Sequence, residues 1–121
     1  MSASITLLPR TALADLTPRD VSERARAVFD FEPSGHVLAG VLAFLDERGI
    51  PLMSSELDEL ALQLARGASC FFFTHAHARW IDELDPDRFP DADDAIRDGI
   101  RFLRGALSAV DPDTVALLRI G

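Results

Sequence analysis

Lysine is absent from this chain, and cysteine occurs once, at Cys70. A lone thiol excludes an intramolecular disulfide framework and agrees with a reducing compartment. The longest strongly apolar stretch, Val37 to Leu45, is roughly half of what a bilayer-spanning helix needs. The N-terminus lacks the basic region and long apolar core of a signal peptide, so the expected location is the cytoplasm. No stretch is basic enough to grip a phosphate backbone, which argues against nucleic acid as a partner, and no membrane contact is expected. The seven glycines stand singly, without the spacing of a phosphate-cradling loop. Internal repeats, low-complexity tracts and linkers are missing too.

What charge there is leans one way. Twenty acidic side chains face 12 basic ones, all arginine, for a net charge of −8. Arginine without lysine reads either as coding bias or as guanidinium forks kept for bidentate carboxylate or phosphate contacts. The excess acid is concentrated. Asp82, Glu83, Asp85, Asp87, Asp91, Asp93, Asp94 and Asp98 are opposed in that interval only by Arg88 and Arg97. Such a segment is a solvated loop leading into an acidic first helical turn, or a surface that steers in a basic partner.

At 121 residues, 48% hydrophobic and 26% charged, the chain has the composition of one soluble globular domain over 1–121. Helix punctuation is frequent. Leu16, Thr17, Pro18, Arg19, Asp20 and Val21 read as an N-cap, a first-position proline and a hydrophobic staple. Val110 to Val115 repeats that grammar. From Pro18 to about Asp30, Val21, Ala25, Val28 and Phe29 recur at helical spacing. A helix over 35–48, capped by Ser34, is apolar on almost every side, which makes it the expected central element; Gly49, Ile50 and Pro51 end it. Ser54 or Ser55 opens a third helix carrying Leu57, Leu60, Ala61, Leu64 and Ala65, closed by Gly67.

Ser69 to Leu84 has two readings. Cys70 to Phe73 suit a buried strand, whereas Phe73, Ala76, His77, Trp80, Ile81 and Leu84 fall on one helical face; the helical pattern covers more residues and is preferred. A long helix from about Ala92 to Val110 follows, with Gly99 marking a close approach of a neighbour. Pro112 to Ile120 forms a short helix or a closing strand. The expected fold is all-α, a compact bundle of about five or six helices around the 35–48 helix, with a short strand at 5–8 or 70–76 left open.

Candidate chemistry is sparse. Cys70, His75 and His77 are three potential zinc ligands at an unfamiliar spacing. On a strand the two histidines would share a face; on a helix they diverge by about 200°. The string Phe73 to Trp80 resembles the strand-end Thr-His-x-His-x-Asp-His signature of metallo-β-lactamase-fold hydrolases, which implies zinc at His75 and His77. Arg79 and Trp80 stand at that family's next two ligand positions, and the chain is about half the length of that fold, so the likeness is confined to two residues. Asp85 with Asp87 lacks the later residues of a calcium loop, and Asp93 and Asp94 suit a helix first turn. Cys70 and His77 would lie two helical turns apart, roughly 10 Å, too far to act as nucleophile and base. Phe71, Phe72 and Phe73 would fan out around a helix, leaving one or two exposed.

These readings converge on a small acidic protein, not expected to be an enzyme and with no cofactor expected, that binds and neutralises or regulates a basic partner protein. It is similar to inhibitors, immunity proteins and antitoxins in size and charge only. The partner-binding residues would be Asp82, Glu83, Asp85, Asp87, Asp91, Asp93, Asp94, Phe71 and Phe72. The alternatives are a zinc-binding or zinc-sensing protein using His75 and His77, and a helical module that dimerises through the Phe71 to Trp80 face as part of a larger assembly.

Overall fold

A computed structural model describes residues 1–121, and it corrects the all-α expectation. Strands β1 (Ala3–Pro9), β2 (Ala27–Phe31), β3 (Ser69–Phe73) and β4 (Thr114–Ile120) form one antiparallel sheet in the order β2-β1-β4-β3. Helices α2 (Gly35–Glu47) and α4 (Asp94–Ala109) cover one face, where Leu38, Leu42, Leu45, Ile100, Leu103 and Leu107 pack on Ile5, Phe73, Ala116 and Leu118. On the other face α3 (Asp58–Ala65) and the single turn α1 (Val21–Arg24) close over Leu8, Phe72, Val115 and Leu117. The protein is therefore α/β, with a sheet between two unequal helical layers. No helix is long and apolar enough to cross a membrane.

The centre of the molecule is β4, not the 35–48 helix. Val115 to Leu118 are each at most 4% exposed because both of their faces are covered, which is why the segment reads as a continuous apolar run. Its entry, which shares the letters of a helix start, is a turn in which the Asp111 carboxylate accepts from the Asp113 amide at 2.7 Å. Aspartate before proline serves either purpose. Helix α2 begins as read, the Ser34 hydroxyl accepting from the His36 amide at 3.2 Å, and ends at Gly49, φ +79°, with the Ile50 amide donating to the Leu45 carbonyl at 3.0 Å. It is half-covered, however: Ala39, Gly40 and Ala43 are exposed. Small side chains raised its apparent hydropathy without being buried.

Two long helices of the sequence reading dissolve. Over 18–30 only one helical turn forms, followed by β2, because Ala27, Phe29 and Phe31 also alternate with period two and pair with Leu7, Ile5 and Ala3. Over 69–84 the chain is strand β3 and then a 3-10 helix, His75–Glu83. The strand places Phe72 among the α3-side apolar residues and Phe73 among those under α2 and α4, so two adjacent phenylalanines are buried on opposite faces, which a strand between two layers permits and a surface helix does not. At Gly99 the close approach is present: a Cβ there would lie 2.6 Å from Val41 Cγ2 of α2.

Candidate functional site

The acidic interval runs from the 3-10 helix His75–Glu83 through a tight turn at Pro86–Arg88 into the first turns of α4. Buried Leu84 and Pro86 pin it to the body of the protein, and Phe89 meets Phe44 of α2 edge-on at 5.5 Å. Its carboxylates divide by task. Asp93 caps α4, accepting from the Ile96 amide at 2.9 Å, and Asp85 accepts from the Asp87 amide at 2.9 Å. Glu83 pairs with Arg88 at 3.0 Å, Asp87 with Arg97 at 3.4 Å and Asp98 with Arg101 at 2.7 Å. Asp82, Asp91 and Asp94 are exposed and bond to no protein group, so they are the carboxylates of this interval that carry charge without a structural task.

The aromatic half of the expected docking surface is elsewhere. Phe72 is 1% exposed inside the sheet and Phe71 is half-buried against the main core. The segment from Phe71 to Trp80 is a strand followed by a 3-10 helix, so it presents no continuous helical face. His75 is exposed, whereas His77 is buried with both ring nitrogens engaged: Nδ1 accepts from the Thr74 amide at 3.0 Å and Nε2 donates to the Ser54 carbonyl at 2.9 Å. That pattern fixes the tautomer and ties the end of β3 to the loop before α3. A zinc ion would have to displace one of these bonds, and no three His, Cys, Asp or Glu side chains are placed to share a metal.

Cys70 sits half-buried on the α3 side of β3, its Sγ 4.0 Å from an Arg119 guanidinium nitrogen. Burial pushes the thiol above its ordinary pKa, and the Arg119 charge and hydrogen bond oppose that shift without cancelling it. Because the raised folded-state pKa favours the protonated form, its contribution to stability is complete below the unfolded thiol's pKa and disappears as pH rises through the folded one. Alkylation of Cys70 by iodoacetamide at pH 8 is accordingly expected to be slower in the folded protein than after unfolding in urea; equal rates would contradict it.

One feature was missed in the sequence. The register sets Ser4 opposite Arg119 and Arg119 opposite Cys70, on the sheet face that α3 only partly covers. There a cleft of about 350 Å³ is lined by Ser4, Thr6, Ser22, Arg66 and Arg119, and it adjoins a second hollow lined by Arg19 and Arg66. The three arginines are 47 and 53 positions apart in the chain, so no local basic pattern announces them; the only trace is the use of arginine alone for positive charge.

Comparison with protein-family models, with curated proteins and with solved structures finds no match to this chain.

Proposed function

We propose that the protein is a binding domain that docks a basic protein partner on the outer surface of the Asp82 to Asp98 segment and regulates it by occupancy. The observation that carries this reading is the triplet Asp82, Asp91 and Asp94, exposed and bonded to no protein group on a segment anchored by Leu84, Pro86 and Phe89. Uncompensated charge concentrated in one segment raises association rates through its field and loses that advantage in salt. Glu83, Asp85, Asp87 and Asp93 support the same surface while also serving local structure, and Phe71 and Phe72 have no part in the proposal.

The division of tasks selects the variant. Asp93 is avoided because its loss removes the α4 cap, at a cost of about 1 kcal/mol. Neutralising Asp82, Asp91 and Asp94 together to asparagine leaves that cap and the three ion pairs in place. In affinity capture from the native lysate, the wild-type protein is expected to retain a basic protein near one-to-one at low salt and release it at high salt, and the triple variant to retain at least about tenfold less. Equal retention by the two proteins would remove this surface from consideration.

A further inference from the structure

We propose that the cleft on the α3 side of the sheet is a binding site for a phosphate monoester, held by half-buried Arg119 at its floor and by exposed Arg66 at its rim, with Arg19 in the adjoining hollow. In a protein of net charge −8, this cleft and the adjoining hollow are lined by no aspartate or glutamate. The ion pairs of the molecule use Arg10, Arg88, Arg97 and Arg101. Arg19, Arg66 and Arg119 therefore face this space without a carboxylate partner, which is the reverse of what a uniformly acidic surface would give.

The floor is built as well as charged. Arg119 is half-buried and held by its Nη1, which donates to the Leu64 carbonyl in the last turn of α3 at 3.2 Å. That bond answers a carbonyl at the negative end of the helix and leaves the rest of the guanidinium fork for a ligand. Thr6 is 8% exposed and lines the same cleft with Ser4 and Ser22, so hydroxyl residues and guanidinium residues share its wall. Guanidinium forks with hydroxyl donors match the oxygens of a phosphate dianion. The volume of about 350 Å³ lies within the range of small-molecule sites, about 300 to 1,000 Å³, and Val21, Leu64 and Leu117 at its wall leave apolar surface for the body of an ester.

Arg66 supplies an independent observation. It is the only residue other than glycine with a positive φ, at 46°, and it precedes Gly67, φ +89°. A left-handed residue at the end of a helix is ordinarily glycine, because a Cβ is strained there. Here the strained position carries an arginine that lines both the cleft and the adjoining hollow. Strain of this kind collects where a side chain is needed for binding.

This assignment makes an unusual demand, since Arg66→Gly should relieve strain while removing a ligand. The test is titration calorimetry with inorganic phosphate, O-phosphoserine and a nucleoside 5′-monophosphate, alongside thermal melts of each protein. The wild type is expected to bind at least one ester saturably and more tightly than inorganic phosphate. Arg66→Gly and Arg119→Gln are each expected to weaken that binding by about tenfold or more, and Arg66→Gly to do so with an unchanged or raised Tm. A preference for the nucleotide or for phosphoserine identifies the source of the ester, and either supports the site. Absence of saturable binding at millimolar ester overturns the proposal. So does binding no tighter than that of inorganic phosphate, or unaltered ester binding in the Arg66→Gly protein. None of these outcomes depends on the acidic surface.

Discussion

Phe73→Ala is expected to lower the unfolding free energy by about 3–5 kcal/mol, and Phe72→Ala by a similar amount, whereas Phe71→Ala should cost distinctly less. Phe73 is 0% exposed beneath α2 and α4, Phe72 is 1% exposed on the opposite face, and Phe71 is half-buried. A deep loss at two consecutive positions is the energetic signature of a strand enclosed by two layers. On a surface helix, consecutive side chains diverge by about 100° and at least one of the three would be cheap to truncate beside a costly neighbour on one face only. The measurement is the midpoint of denaturant unfolding at constant m-value. Domains of this size are stable by about 5–15 kcal/mol, so Phe73→Leu, which leaves a smaller cavity, provides a milder variant if the alanine protein fails to accumulate. A Phe72→Ala protein within about 0.5 kcal/mol of wild type would overturn the register of β3.

His77→Ala is expected to cost about 2–4 kcal/mol, more than any other polar substitution in the chain. The side chain closes two bonds at once, to the Thr74 amide in its own turn and to the Ser54 carbonyl 23 residues earlier. It also lies against Phe73, with ring centroids 5.8 Å apart. Truncation leaves a buried donor and a part-buried acceptor without partners, each costing about 1–3 kcal/mol, and opens a hole beside Phe73. Hydrogen exchange gives a second readout: the Thr74 amide should lose protection in His77→Ala and keep part of it in His77→Asn, whose shorter side chain can accept from Thr74 but does not reach Ser54. His75→Ala, at an exposed position, should lie within about 0.5 kcal/mol of wild type. Equal effects at the two histidines would contradict the structural role assigned to His77.

The elements that could be read correctly were those specified by their own neighbours. Ser34 with Gly49 bounds α2, because caps act over one turn and need no distant partner; α4 was read from about Ala92 with Asp93 in its first turn, whereas Asp93 is its cap and the helix begins at Asp94. Gly99 was legible for a related reason: it falls on the apolar inner face of the helix, where a missing side chain admits a neighbour, whereas Gly105 of the same helix meets nothing. Ile5 to Leu8 was left open as a strand, and it lies within β1. The failures at 18–30 and 69–84 have a common cause. Each segment carries both a 3.6-residue and a two-residue apolar pattern, and the choice is made by pairing, of β2 with β1 and of β3 with β4. Partners 20 to 28 positions apart for β1 and β2, and 43 to 51 apart for β3 and β4, leave no mark within a window of one helix.

The candidate sites divide along the same line. The acidic surface is contiguous in the chain, so its existence was visible at once, although which carboxylates are free of structural duty required the ion pairs and caps. The arginine cleft is discontinuous and was invisible until the sheet brought Ser4, Thr6 and Arg119 beside the end of α3.

The acidic charge and its concentration before α4, the capped helix α2, the long helix that follows the acidic segment and the lack of an intramolecular disulfide framework were legible in the chain itself. These follow from composition and from interactions spanning a few residues. Tertiary packing alone establishes that a sheet exists, that Phe72 and Phe73 are buried on opposite sides of it, that His77 is a fastening and not a free ligand, and that Arg66 lines both the cleft of Arg119 and the adjoining hollow of Arg19. Each of those depends on which distant strand lies alongside, and the free energy that settles it comes from burying both faces of β4, a quantity no local pattern contains.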